Sequence, residues 1–232
     1  MQTQEEPSTM EFSLGLVYDL IFLALLIGGA ILGKRRGFVS GLVGLLGSVA
    51  GIIAGVYATR AWAGGIYRDH LGVTIGEAVT KALAETGGDL TAALNQMGFL
   101  PAAARDKMAA ALSTLTATAV PQIVNALEPV LLPFIQAVLF LVVWLLVRAL
   151  VHLLARWLRA VNALPLVGTL NKVLGFALGF VTGTLNCWVL SVALWLVANL
   201  SGGKLEILNF GVLQSSALYR LLEPLNPFVV RY

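Results

Sequence analysis

Apolar positions in this chain gather into runs far longer than a soluble helix or strand requires. The first extends from Leu14 to Gly33, about twenty residues interrupted by one charge, Asp19. At 1.5 Å per residue it covers the ~30 Å of bilayer hydrocarbon. The second runs from Phe38 to about Thr59 without a charge. The third runs from Val130 to about Val151, with Pro133 expected in its first turn, where a missing N–H does least harm. The fourth runs from Val173 to about Ala198. Lipid offers no partner to backbone N–H and C=O groups, so long apolar runs must be helical. The pattern predicts an all-α integral membrane bundle of four transmembrane helices.

Polar positions are concentrated between the second and third runs. Residues 61–128 carry four cations and six acids, net −2. Val73, Ile75, Val79 and Leu83, and then Met108, Leu112 and Leu115, recur at roughly helical spacing. Asp89 is placed to N-cap a short helix ended by Gly98, and Pro101, Pro121 and Pro129 punctuate the segment. So few large apolar groups make a poor independent core, so a helical extracytoplasmic insertion is expected. The predicted organisation is an acidic N-tail (1–13), a first hairpin (14–60), the insertion (61–128), a second hairpin (129–199) and a C-terminal tail (200–232). The tail reads as a surface-docked segment ending in a short helix. An apolar loop, Val161 to Lys172, joins the spans of the second hairpin.

Glycine adds a second pattern. Gly37 and Gly41 open the second span, and Gly47, Gly51 and Gly55 put three glycines on one of its faces. Gly175, Gly179 and Gly183 repeat the spacing on the fourth span. In water each would cost a helix about 1 kcal/mol. In lipid such faces let another helix approach closely, within the protein or in a second copy. Gly-Phe-x-x-Gly occurs at both Gly37 and Gly175, so the two hairpins resemble a parallel duplication.

Composition agrees with the runs: 58% of residues are hydrophobic and 12% charged, against about 25% charged in soluble domains. The net charge of +3 is unevenly placed. Lys34, Arg35 and Arg36 form the first turn, and Arg148, Arg156, Arg159 and Lys172 surround the second. The N-tail has Glu5, Glu6 and Glu11 and no cation. Basic loops stay cytoplasmic, so both turns are expected inside and both termini outside. The cations follow the first apolar run, which reads as a retained membrane helix and not as a cleaved leader. Arg148, His152, Arg156 and Arg159 share one helix face. They are expected to flank the bilayer as topology-setting cations or to lie among anionic headgroups.

Val17-Tyr18-Asp19-Leu20-Ile21, then Arg36-Gly37-Phe38-Val39, then Leu170-Asn171-Lys172-Val173-Leu174-Gly175 with Gly179 and Gly183, followed by Ser215 to Pro227, resemble the colicin V production protein family. The likeness covers the four spans and the tail, not residues 61–128. It implies a small multi-pass protein of the bacterial inner membrane. The implied role is in bacteriocin (toxin) production or secretion and in envelope homeostasis, without an enzymatic reaction.

Asp19 is the candidate functional residue. An acid in a span costs about 2.5–3.5 kcal/mol at mid-bilayer and marks a path or a partner. It can cap a helix turn, pair with Arg60, or hold a proton or ion as part of a small oligomeric channel. Asn186 is expected to make an interhelical contact. The lone Cys187 supports neither a disulfide nor a metal cluster. His70 and His152 fall on opposite predicted sides. No paired catalytic groups, phosphate loop or metal-ligand spacing is recognisable, so no cofactor or metal is expected. Topology accounts for the basic residues, so nucleic acid is not an expected partner. The expected partners are the lipid bilayer and either a second copy or another membrane or secretion protein.

Overall fold

The computed structural model describes residues 9–89, 92, 120–161, 168–201 and 205–229. Among these, about 90% are helical and none forms a strand. Helix α1 spans Thr9–Ile66, a π-helical turn follows at Tyr67–Leu71, and α2 is Gly72–Glu85. Helix α3 is Val120–Val161 and α4 is Thr169–Leu200. The tail holds α5 (Phe210–Ser215), α6 (Ala217–Leu222) and a 3₁₀ turn, Glu223–Leu225. Three helical segments, Leu14–Glu85, Leu127–Arg156 and Thr169–Leu200, are long and apolar enough to cross a membrane. The chain is an all-α membrane-type protein.

The expected first and second spans lie together in α1. Its backbone leaves helical geometry at Gly37, with φ 80° and ψ 178°. A side chain at that φ is costly, so the position favours glycine. The contacts on either side show what the break does. Gly29 lies against Gly179 and Gly183, and Gly33 against Gly175 and Gly179. This first arm, 9–36, runs antiparallel to α4. Beyond the break, Gly41 lies against Gly175 and Leu178, and Gly44 against Thr182. The second arm, 38–66, runs parallel to α4, so α1 folds back on itself. Helix α3 then runs antiparallel to the second arm, with Val151, Trp144 and Phe140 against Gly47, Gly51 and Gly55.

Several boundaries differ from expectation. The second arm continues past residue 60 to Ile66 and nearly straight into α2, because Ala-rich sequence and two αR junctions offer no stop. Helix α3 begins at Val120, so Pro129 and Pro133 lie inside it and not in its first turn. Such prolines break soluble helices; in a lipid-facing bundle, neighbours can re-satisfy the freed carbonyls. Helix α4 starts at Thr169, just after Gly168, so Asn171 and Lys172 already belong to its first turn. Asp89 Oδ1 accepts a hydrogen bond from Ala92 N at 3.1 Å, in N-cap fashion. The rest of that expected helix, the Met108–Leu115 pattern and residues 162–167 of the expected Val161–Lys172 loop lie outside the described residues.

Among the described residues, two hydrophobic clusters join the long helices to the tail. One joins Ala137 and Phe140 of α3 to Val189, Val192, Trp195 and Leu196 of α4 and is closed by Phe228 of the tail. Phe134 stacks on Trp195 at 5.6 Å between ring centroids. The other joins Phe22 of the first arm to Cys187 and Ala198 of α4 and to Leu208, Leu213 and Tyr219 of the tail. Outside, large apolar side chains face outward: Leu20, Ile53 and Leu146 are each 64% exposed. A soluble monomer does not present so continuous an apolar surface, and lipid covers one without cost.

Candidate functional site

The two ends of the bundle differ chemically. At one end the first arm meets the tail. Asp19 Oδ1 accepts from Ser216 Oγ at 2.6 Å and from Leu218 N at 2.9 Å, and Oδ2 accepts from Ala217 N at 3.1 Å. Ser216 Oγ in turn accepts from Tyr219 N at 3.1 Å, as the cap of α6. The carboxylate therefore clasps the start of α6. Neighbouring contacts act in the same sense: Tyr18 donates to the Ile207 carbonyl at 2.9 Å, and Trp188 Nε1 to the Leu225 carbonyl at 3.1 Å. Of the uses considered for Asp19, capping is the one its hydrogen-bond partners match; they are Ser216, Ala217 and Leu218.

At the other end the two turns meet. Phe38 N donates to Asn171 Oδ1 at 2.7 Å, so Asn171 caps the second arm from the first turn of α4. A methyl group at Gly37 would sit 2.7 Å from Asn171 Nδ2. Between the ends, the glycines let backbones touch. A methyl at Gly33 would lie 2.7 Å from Gly179 Cα, and one at Gly29 2.8 Å from the Gly179 carbonyl oxygen. A methyl at Gly51 would lie 2.9 Å from Trp144 Cδ1, and one at Gly55 2.7 Å from Phe140 Cδ2. The Gly29 and Gly33 face thus meets the glycine face of α4, and the Gly51 and Gly55 face of the second arm receives aromatic rings of α3.

Arg148 is placed differently from a cation that flanks the bilayer. Its Nη1 donates to Ser48 Oγ at 3.1 Å and to Asn186 Oδ1 in a short hydrogen bond. Its guanidinium lies 5.0 Å from the centroid of the Trp144 ring, in cation–π range. One half-buried side chain of α3 therefore ties together the second arm and α4. It lines a recess together with Gly41, Gly44 and Asn186. Above this node lies an open cavity of about 520 Å³ lined by Arg36, Ser40, Val43, His152 and Arg156. A recess of about 120 Å³ shares Arg36, Ser40 and His152 with it and reaches Arg148, Thr182 and Asn186. Lys34, Arg35 and Lys172 stay exposed outside the cavity, and Arg159 lies in the last turns of α3.

The family model described as colicin V production protein matches residues 108–227, just over half of the chain. The chain belongs to the colicin V production protein family. Membership supports a role in colicin V production. No curated protein and no solved structure matches. In this colicin V production family member the match takes in α3, α4 and the docked tail. It also takes in the end of the 61–128 segment, which the resemblance in the sequence left aside. Leu170–Gly175 and Ser215–Pro227 fall inside the matched residues; Val17–Ile21 and Arg36–Val39 fall before them. The contacts join the two sets, since Asp19 holds 216–218 and Asn171 holds Phe38.

Five residues escape a sequence reading in these roles: Ser48, Ser216, Asn171 as a cap, and Gly29 and Gly33 as the partners of the α4 glycines. Ser48 alone left a signal, as a hydroxyl in an otherwise charge-free apolar run. His70 is exposed in the π-helical turn, remote in sequence and element from His152. Cys187 is buried and its Sγ contacts the Phe22 carbonyl at 3.3 Å. Among the described residues, no group of three or more His, Cys, Asp or Glu is placed to hold a metal ion.

Proposed function

We propose that this chain crosses the bacterial inner membrane four times and supports production or secretion of a bacteriocin and envelope homeostasis as a non-enzymatic scaffold. The observation that carries this reading is the use made of Asp19. Both carboxylate oxygens accept hydrogen bonds from the tail, so the one acid of the first span organises structure. The backbone contact between the first arm and α4 supports it further, because it packs the two helices directly on each other as a structural unit.

The reversal at Gly37 supports counting α1 as two crossings, with Lys34–Arg36 and the start of α4 on one side. With both turns cytoplasmic, each terminus lies outside. Alkaline phosphatase fused after Tyr232 is expected to be active and a cytoplasmic reporter there silent; the opposite pair of results would sink this topology. The scaffold role is tested by cross-linking and pull-down from native membranes, with a secretion component or a second copy as the expected product. Proton or solute flux in proteoliposomes that disappears on Asp19→Asn would overturn it in favour of an oligomeric channel.

A further inference from the structure

The cavity at the basic end is not used by the scaffold reading, and its chemistry has one sign. Arg36 comes from the end of the first arm, and Arg148, His152 and Arg156 come from one face of α3. Topology alone requires cations near this end of the bundle. It does not require them to converge on one cavity, and Lys34, Arg35 and Lys172 do not. Neither the cavity nor its recess is lined by an aspartate or glutamate.

Arg148 sharpens the point. A guanidinium has five N–H donors. Its Nη1 makes two hydrogen bonds that end on neutral oxygens, those of Ser48 and Asn186, and the side chain lines the recess. A half-buried cation held by neutral oxygens is costly in a low-dielectric setting, and an anion delivered through the cavity removes that cost. Guanidinium groups bind phosphate oxygens through paired, charge-assisted hydrogen bonds. A phosphate presents oxygens in several directions, which suits donors arriving from two helices. The glycines at 29, 33, 41, 44 and 179 keep the recess open beside Arg148.

We propose that this cavity and its adjoining recess form a binding site for a phosphate-bearing anion, with Arg36 and Arg156 lining the cavity and Arg148 lining the recess. The phosphate can belong to a lipid headgroup entering from the adjacent leaflet or to a free anion from the aqueous side. The site rests on the preceding reading only in placing the chain in a bilayer, and it needs no role in bacteriocin production.

The test uses the full chain in nanodiscs of phosphatidylcholine alone, of phosphatidylcholine with inorganic phosphate added, or of an equimolar phosphatidylcholine–phosphatidylglycerol mixture. Thermal stability and lipid retention by native mass spectrometry are read in parallel. Wild type is expected to be stabilised by at least one probe. Arg36→Gln with Arg156→Gln, both exposed and so compatible with folding, should weaken that effect by on the order of tenfold or more. Lys34→Gln with Arg35→Gln removes the same charge outside the cavity and should leave the effect in place. Response to inorganic phosphate identifies a free anion; response only to phosphatidylglycerol, with the lipid retained, identifies a headgroup. No response to either probe, or equal loss in both double variants, overturns the site. A chain recovered in the soluble fraction without detergent would instead overturn the membrane reading.

Discussion

Asp19 and Tyr219 show how different two polar groups at one end of the bundle are. Asp19 accepts three hydrogen bonds from 216–218. Asp19→Asn keeps the shape but loses the charge and one pair of acceptor sites. Hydrogen bonds to charged groups are worth about 1.5–3 kcal/mol, less where half-exposed. The expected result is a tail that protease cuts sooner, with normal membrane levels and a little-changed melting of the helical bundle. Tyr219 has the opposite character: its ring is fully buried, but its hydroxyl has no hydrogen-bond partner. Burial first, and the Glu223 carboxylate second, push its phenol above the usual value, so it stays neutral and gains nothing from ionising. Tyr219→Phe removes an unsatisfied donor and should be neutral or stabilising by about 1 kcal/mol in a detergent melt. A marked loss of stability would show a partner for that hydroxyl.

At the scale of elements, glycines that look alike in sequence do different work. Nothing lies within 4 Å of a methyl placed on Gly28, whereas one on Gly33 would strike the backbone of α4. Gly28→Ala should therefore be neutral or stabilising within about 1 kcal/mol, through helix propensity. Gly33→Leu should force α1 and α4 apart and cost about 1–3 kcal/mol or more. Equal melting temperatures for the two variants would count against the crossing. The turn is tested separately. Gly37→Ala places a side chain at φ 80° and crowds Asn171, for about 1–2 kcal/mol. Asn171→Ala removes the cap of the second arm, for about 1 kcal/mol. Because both act on one turn, their costs should be less than additive in a double-mutant cycle.

For the whole molecule, the tail closes both cores. Tyr219 and Leu213 complete the core under the first arm, and Phe228 packs on Phe140 at 5.6 Å between centroids, completing the other. Truncation after Ser201 leaves every candidate membrane-crossing helix in place but uncovers both cores at one end. It should still insert into membranes, melt earlier and aggregate on detergent dilution, as followed by size-exclusion chromatography. Full stability after truncation would show that the membrane-type helices close their cores without it.

The runs of apolar residues determined, without any structure, that this is an all-α membrane-type chain. Hydrophobic length and helix geometry are one-dimensional quantities, and residues 14–33, 38–59, 130–151 and 173–198 all fall within observed helices. The glycine spacings likewise announced close packing, and a short helix in the tail was legible from its apolar and proline pattern. The sequence could not say which face meets which. Asp19 and Ser216 lie 197 residues apart and Phe38 and Asn171 133 apart, and only the folded bundle brings them together. Arg148 reads as one more cation in a basic helix. Its inward placement goes with its bonds to Ser48 and Asn186 on two other helices, and no local pattern encodes such a meeting. Lipid sorts residues by polarity along the chain, but contacts between helices depend on shape, and shape exists only once the helices have packed.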